Sequence, residues 1–385
     1  MASFELATPA RVVFGAGRAK ELPAELAGLG VARALLVTGR TAGRAAPIEA
    51  GLAARGIAAV PLRVEGEPTV ELVREGVALG RRERCDGVLA IGGGSAIDAG
   101  KAIAGLLGNG SDDPLEHLEV VGQGRPLARP GLPFVAAPTT AGTGSEVTRN
   151  AVLGAGGTKA SLRSPHLLAR LAVVDPDLLE GLPRAVLVAS GLDALAQLVE
   201  PFLSARANPL TDALALEGMR RSARALRPAC LEGLTPERRE DLALASLLGG
   251  LCLANAGLGA VHGFAAPAGA ALGAPHGALC AALLAPALAV NLRALRARAP
   301  GSLAERRFGE LARQLTGRPD AAPEDGIAWV EALCRDLGVR GLAAHGLADE
   351  GIPDLVARAR AASSMKANPI VLTDEELGDL ARRAM

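Results

Sequence analysis

Residues 191–212, GLDALAQLVEPFLSARANPLTD, set a carboxylate at Asp193 and an amide at Gln197 four positions apart. On a helix that spacing puts both on one face, about one turn apart. The pair could serve as two metal ligands or as plain helix surface, and glutamine is an unusual ligand for a catalytic metal. Two of the five histidines, His262 in VHG and His276 in PHG, lie between Leu242 and Leu292, a stretch without Asp, Glu, Lys or Arg. A lone histidine on an apolar face is commonly a satisfied core residue. Two of them together with Asp193 point to a shared site.

A second set of residues could handle phosphate. The run DGVLAIGGG (86–94) ends in Gly92, Gly93 and Gly94, followed by the helical pattern SAIDAGKAIAGLL. The glycines allow close backbone approach, and Ser95 with Asp98 reads as an S-x-x-D capping box. The result is a helix N-terminus with free amides, suited to a pyrophosphate. It is not a Walker A loop: GSAIDAGKA puts five residues between its glycines and follows the lysine with alanine. No GxGxxG is present either. After the next apolar run comes PTTAGTGSEVT (138–148), whose threonines, serine and glycines offer hydroxyls and amides to ribose, carboxamide or phosphate oxygens.

The elements needed to hold these groups are legible. Apolar runs at 33–39, 57–64, 86–94 and 132–140 alternate with helical patterns at 41–56, 69–84 and 95–107. That alternation predicts a parallel, doubly wound sheet, with ligands at the carboxyl ends of its strands. After VVDPDLLEGLP (173–183), alanine–leucine periodicity takes over. Helices are expected at 187–203, 207–226, 236–256, 276–294 and 302–316. The expectation is therefore an α/β N-terminal nucleotide-binding domain over 1–180 and an all-α C-terminal domain over 181–385.

Composition narrows the function. Lysine plus arginine (41) balances aspartate plus glutamate (41), which argues against a nucleic-acid partner or an anionic membrane. The charge-free stretch is interrupted by His262, His276, Asn255 and prolines at 267, 275 and 286. A membrane span would need about 20 clean apolar residues, so buried helices around a polar cleft are expected. Five scattered cysteines without a CxxC fit a reducing cytoplasm rather than a disulfide framework. MASFELATPARVVFGAG has no leader-like pattern of basic residues followed by an apolar run.

GGGSAIDAGK, PTTAGTGSEVT, AVVDPDLL, GLDALAQLVEPFLSARANPLTD and the VHG…APHG pair occur together and in order. With them the chain resembles the iron-containing alcohol dehydrogenase family, which includes maleylacetate reductases, from about residue 10 to NPIVLTDEEL at 368–377. The resemblance implies a cytoplasmic homodimer that interconverts a small carbonyl compound and an alcohol with NAD(P)(H), in a cleft between the two domains. Gly93, Gly94 and Ser95 would hold the pyrophosphate, and Thr139, Thr140, Ser145 and Val147 would line the cofactor cleft, with Lys159 near the ribose. Gly39 stands where the family often has an aspartate that reads the ribose 2′-hydroxyl. Its absence, with Arg40 and Arg44 nearby, predicts that NADP(H) is accepted.

The metal positions for Fe2+ or Zn2+ fall on Asp193, Gln197, His262 and His276, where the second is ordinarily histidine. Ala266 replaces a further histidine linked to proton relay. With a neutral amide in place of an imidazole, the expectation is a metal absent or weakly held, with His262 or His276 polarising the carbonyl. Arg149 and Arg163 could clamp a carboxylated substrate of the maleylacetate kind. A dehydroquinate-synthase-like lyase and a nucleotide-binding homologue without activity are the alternatives.

Overall fold

A computed structural model describes residues 3–385, which leaves the first two residues of the leader reading outside it. The chain divides into two compact units, each treated by itself. The α/β unit takes Leu6–Thr140 and Gly144–Glu180; the helical unit takes Gly181–Met385, Ala141–Thr143 and the N-terminal segment up to Glu5.

The α/β unit runs β1 (Val12–Phe14), α1 (Leu22–Gly28), β2 (Arg33–Thr38), α2 (Ala46–Ala54), β3 (Ala58–Arg63), α3 (Val70–Arg82), β4 (Gly87–Gly92), α4 (Gly94–Asn109), β5 (Phe134–Pro138), β6 (Asn150–Ala155), β7 (Thr158–Arg163) and β8 (Leu171–Val174). Six strands form one parallel sheet in the order β1-β8-β5-β4-β2-β3. β4, β5 and β8 carry no polar side chain because both faces of the sheet are covered. Ala34, Leu36, Leu89 and Ile91 pack with Leu22, Leu26, Ile48 and Leu52 on one side. Leu35, Val37, Val88 and Ala90 pack with Val73, Val77, Ile97 and Ile103 on the other. Chain direction across the sheet reverses between β2 and β4. Their adjacent carboxyl ends form the crevice where such sheets bind ligands.

Two expectations are corrected here. The segment 41–56 is not one helix: a short 3-10 turn at Ala42–Arg44 precedes α2, which starts with proline in its first turn. Ser95 and Asp98 do not form a capping box, because the N-cap of α4 is Gly93, two residues earlier, which has no side chain. The Asp98 carboxylate instead accepts hydrogen bonds from Ser145 Oγ and, at 3.1 Å, from Val152 N–H. Sequence patterning also passed over the hairpin of β6 and β7. They pair from Asn150↔Arg163 to Ala155↔Thr158 around Gly156 and Gly157, both with positive φ, a turn that glycine pairs favour.

The helical unit holds α5 (Arg184–Leu203), α6 (Pro209–Glu232), α7 (Pro236–Ala256), α8 (Ala260–Leu272), α9 (His276–Arg298), α10 (Leu303–Thr316), α11 (Pro323–Leu337), α12 (Ile352–Ala361) and α13 (Asp374–Arg383). α5 packs against α6, α7 and α9, which explains its nearly continuous burial. By length and composition α5 and α9 could each cross a membrane, but their apolar windows are 78% and 72% buried within the fold. α7 and α8 meet at a bend of 99° across Gly257–Gly259. A Cβ on Gly259 would lie 2.8 Å from Asn368 Oδ1 and 2.9 Å from Glu200 Oε1, so glycine lets both side chains reach the start of α8. Glu200 Oε1 accepts from Val261 N–H (2.7 Å) and Asn368 Oδ1 from Ala260 N–H (3.1 Å). These bonds fix the first turn of α8, and with it His262.

Candidate functional site

In the α/β unit, the turns after β2 and β4 touch. A Cβ on Gly92 would lie 3.2 Å from the Gly39 nitrogen and 2.6 Å from Ala96 Cβ. Thr139 N–H donates to Gly92 O (2.9 Å), which seats the turn after β5 beside them. A Cβ on Gly93 would face Thr140 Cγ2 at 3.4 Å, so a branched side chain there would fill this space. Gly39, Gly93, Gly94, Ser95, Thr139 and Thr140 thus gather at the strand ends, around the N-terminus of α4. Among the first-turn amides of that helix, Ala96 and Ile97 donate to Gly93 O (3.0 and 3.2 Å), and those of Gly94 and Ser95 stand at its open end, the arrangement that suits a pyrophosphate.

The other residues expected at the cofactor have partners within the fold. Asp98 and Ser145 belong to a buried network around Lys101. Its ammonium donates to Ser145 O (2.7 Å), Ser145 Oγ (3.1 Å), Thr148 Oγ1 (3.0 Å) and Asn150 O (2.7 Å). This network ties α4 to the 145–150 segment and the hairpin. Val147 is fully buried. Lys159 sits on β7, where its ammonium pairs with Glu67.

Glu146 lies in the same network, completely buried, and burial pushes its carboxyl up to about 7 against the pull of Lys101. The folded state then holds a proton that the unfolded chain releases from about pH 4.5. Stability therefore falls as pH rises from there through about 7, by at most roughly 3 kcal/mol. Glu146→Gln is expected to flatten that slope, with Asp98 and Lys101 unchanged. Urea denaturation at pH 5 and pH 8 checks it: the wild type loses more stability between the two than the variant does.

In the helical unit, four donors meet. Among the described residues, atoms of Asp193, His262, His276 and Cys280 all lie within 4.8 Å of one another. Asp193 comes from the middle of α5, His262 from the first turn of α8, and His276 and Cys280 from the first turns of α9. The two imidazole centroids are 5.4 Å apart. Asp193 Oδ1 is 3.2 Å from His262 Nε2 and 3.8 Å from His276 Nε2, and Cys280 Sγ is 3.5 Å from His276 Nε2.

Gln197 takes a different part. Its Nε2 donates to Asp193 Oδ2 at 3.0 Å, while its buried Oε1 has no hydrogen-bond partner among the described residues. The fourth member of the group is thus the Cys280 thiol. The expectation of an absent or weakly held metal, which counted Gln197 in that place, is not supported.

Glu200, one turn beyond Gln197 on α5, was also missed. Its Oε2 accepts from His262 Nδ1–H at 2.6 Å. A carboxylate behind a histidine fixes the tautomer and aims the other nitrogen, the usual support for a metal-bound imidazole. With Nδ1–H committed to Glu200, a neutral ring would set its Nε2 lone pair against a carboxylate oxygen at 3.2 Å. Two acceptors share that distance only with a proton or a cation between them.

The electrostatics agree. Burial alone would raise the Asp193 carboxyl, but the His262 hydrogen bond and both imidazoles outweigh it and hold it at about 2. Burial opposes a charged His262, yet Cys280, Asp193 and Glu200 keep it well above the ordinary histidine range. Burial pushes the Cys280 thiol up to about 12; a coordinated cation would deprotonate it. The donor set of carboxylate, two imidazoles and thiol fits zinc or ferrous iron.

Residues 9–176 match the model of the family described as iron-containing alcohol dehydrogenase, and 187–385 match that of the Fe-containing alcohol dehydrogenase family, C-terminal. A choline dehydrogenase from Bacillus subtilis is 33% identical over 92% of this chain and 87% of its own length. An NAD-dependent methanol dehydrogenase from Bacillus methanolicus is 30% identical over 98% of both chains. The crystal structure of a 1,3-propanediol oxidoreductase superposes with a TM-score of 0.92 and 31% identity, covering all of both chains. The chain belongs to the iron-containing alcohol dehydrogenase family and is a nicotinamide-dependent alcohol dehydrogenase.

Proposed function

We propose that the chain interconverts a small, uncharged alcohol and its carbonyl compound with NAD(P)(H), aided by a divalent cation held in the Asp193 group. The observation that carries this reading is the His262 imidazole, backed by Glu200 on Nδ1 and facing Asp193 Oδ1 at 3.2 Å through Nε2. Bound there, the cation would polarise a carbonyl oxygen as a Lewis acid. The nicotinamide, when bound, supplies or accepts the hydride.

The chain's own part is positioning. Glu200 fixes the His262 tautomer, Gln197 holds one oxygen of Asp193, and the first turn of α4 receives the pyrophosphate. The His276 side chain is 33% exposed, so water reaches the edge of the site. With alanine at 266, the alcohol proton leaves through that water.

Small alcohols are favoured over carboxylated substrates because Arg163 faces Glu119 at 3.8 Å, which offsets its charge. The relatives named for methanol and 1,3-propanediol support the same class. Absorbance of reduced nicotinamide, followed with a panel of small alcohols and aldehydes, tests this. Turnover with several of them is expected, and no turnover with any would place the substrate outside this class. A cytoplasmic homodimer is the accompanying proposal; the five cysteines are all free, as a reducing compartment requires.

The cofactor proposal is that NADP(H) binds at least as well as NAD(H). A Cβ on Gly39 would meet nothing within 4 Å, so the turn after β2 has room for a 2′-phosphate. Arg40 donates to Glu65 O, and Arg63 donates to Arg40 O at 2.7 Å, which sets two guanidinium groups by this turn. Arg44 is a weaker candidate, since it donates to Glu180 O (2.6 Å) and Thr139 O (3.4 Å). Fluorescence titration with both reduced cofactors decides; a clear preference for NADH would overturn it.

A further inference from the structure

We infer that Cys280 is a metal ligand, standing in for the imidazole that position 197 lacks, and that the site prefers zinc to ferrous iron. The inference rests on the metal-assisted reading above and names the fourth donor.

Three observations carry it. Cys280 lies one turn after His276 on α9, the same i, i+4 spacing that joins Asp193 and Gln197 on α5, and its Sγ falls within the 4.8 Å group. The side chain is buried beside His276 Nε2 at 3.5 Å, with its sulfur turned to the other donors rather than to an apolar pocket. Gln197 has a separate task. Against an ionised carboxylate only its Nε2 can face Asp193, and that bond engages Oδ2. Oδ1 is left toward both imidazoles. Gln197 is thus a positioning residue, and the loss of a ligand on α5 is matched by a thiol on α9.

On coordination the thiol gives up its proton to solvent and the sulfur donates an electron pair; no redox change is involved. A thiolate is softer than imidazole and favours zinc over harder cations. It also gives bound cobalt(II) a near-ultraviolet charge-transfer band that imidazole and carboxylate do not produce.

The test is anaerobic titration of the full metal-stripped chain with Co2+, followed by absorbance and elemental analysis. The wild type is expected to bind one equivalent and show the thiolate band. Cys280→Ser should lose the band and bind at least about 10-fold more weakly, as even outer-sphere changes cost that much. Adding Gln197→His to Cys280→Ser should recover affinity without the band, and should hold less zinc relative to iron from an equimolar mixture than the wild type does.

One cobalt bound by the wild type without the band would overturn the role of Cys280 and leave the metal-assisted reading standing. No cobalt bound by the wild type would overturn both. An unchanged zinc-to-iron ratio in the double variant would overturn the claim about preference. Because the wild-type spectrum is itself decisive, a variant that fails to fold does not rescue the inference.

Discussion

Asp193→Asn is expected to lower zinc affinity by roughly 100-fold or more and to abolish measurable turnover, while the helical unit stays folded. Asp193 Oδ1 is the oxygen that faces both imidazoles, at 3.2 and 3.8 Å. Losing a donor of this kind costs more than the 10- to 100-fold (roughly) seen when a residue behind a ligand is changed. Asparagine suits the test because it keeps the shape of the side chain. Its carbonyl can still accept from Gln197 Nε2, and its amide can donate to His262 Nε2, so no buried polar group is orphaned. Alanine would confuse the result by leaving Gln197 Nε2 and His262 Nε2 without their Asp193 partner in the core. Isothermal titration with zinc, together with far-ultraviolet circular dichroism, reads both halves. Unchanged zinc affinity in a folded variant would place the cation elsewhere.

Gly93→Val is expected to lower affinity for the reduced nicotinamide by roughly 100-fold, as losing two charge-assisted hydrogen bonds would. Gly93 has φ −73° and ψ −177°, a conformation valine adopts without strain. It caps α4 without a side chain, so the substitution removes no capping bond. Its Cβ would stand 3.4 Å from Thr140, and the two methyl groups would fill the space in front of the helix amides. Cofactor affinity should therefore fall while the melting temperature shifts little. Tight binding in a folded Gly93→Val protein would move the pyrophosphate away from α4.

Much of the frame was legible because buried parallel strands and amphipathic helices leave strong patterns. The four strands from β2 to β5 and four of the long helices appear within a few residues of where their apolar runs put them, while α6 runs on to Glu232, past the expected end at 226. β1 and β8 were not resolved, at three and four residues, since periodicity over so short a run separates nothing. The β6–β7 hairpin carried its own signal, Gly156-Gly157 between alternating residues. Its two strands are six residues each and half-buried, so no apolar run marks them.

In the site, Asp193, His262 and His276 converge, though they come from three helices and nothing local in the sequence required it. Cys280 and Glu200 were within reach. Glu200 lies seven residues after Asp193 on the same helix face, and Cys280 follows His276 at the spacing of Asp193 and Gln197. Disulfide and CxxC patterns both need a second cysteine, so a single thiol one turn from a histidine leaves no signal in them. The fates of Asp98, Ser145 and Lys159 were not legible. Whether a polar side chain faces a ligand or a buried lysine depends on how α4, the 145–150 segment and the hairpin pack together.

The most direct test of the account is the metal content and turnover of the purified enzyme, measured before and after chelation. About one divalent cation per chain is predicted. Turnover should fall to below about a hundredth when the cation is removed, given the several kcal/mol a Lewis acid contributes, and should return with added zinc. Full turnover by a metal-free protein would contradict it.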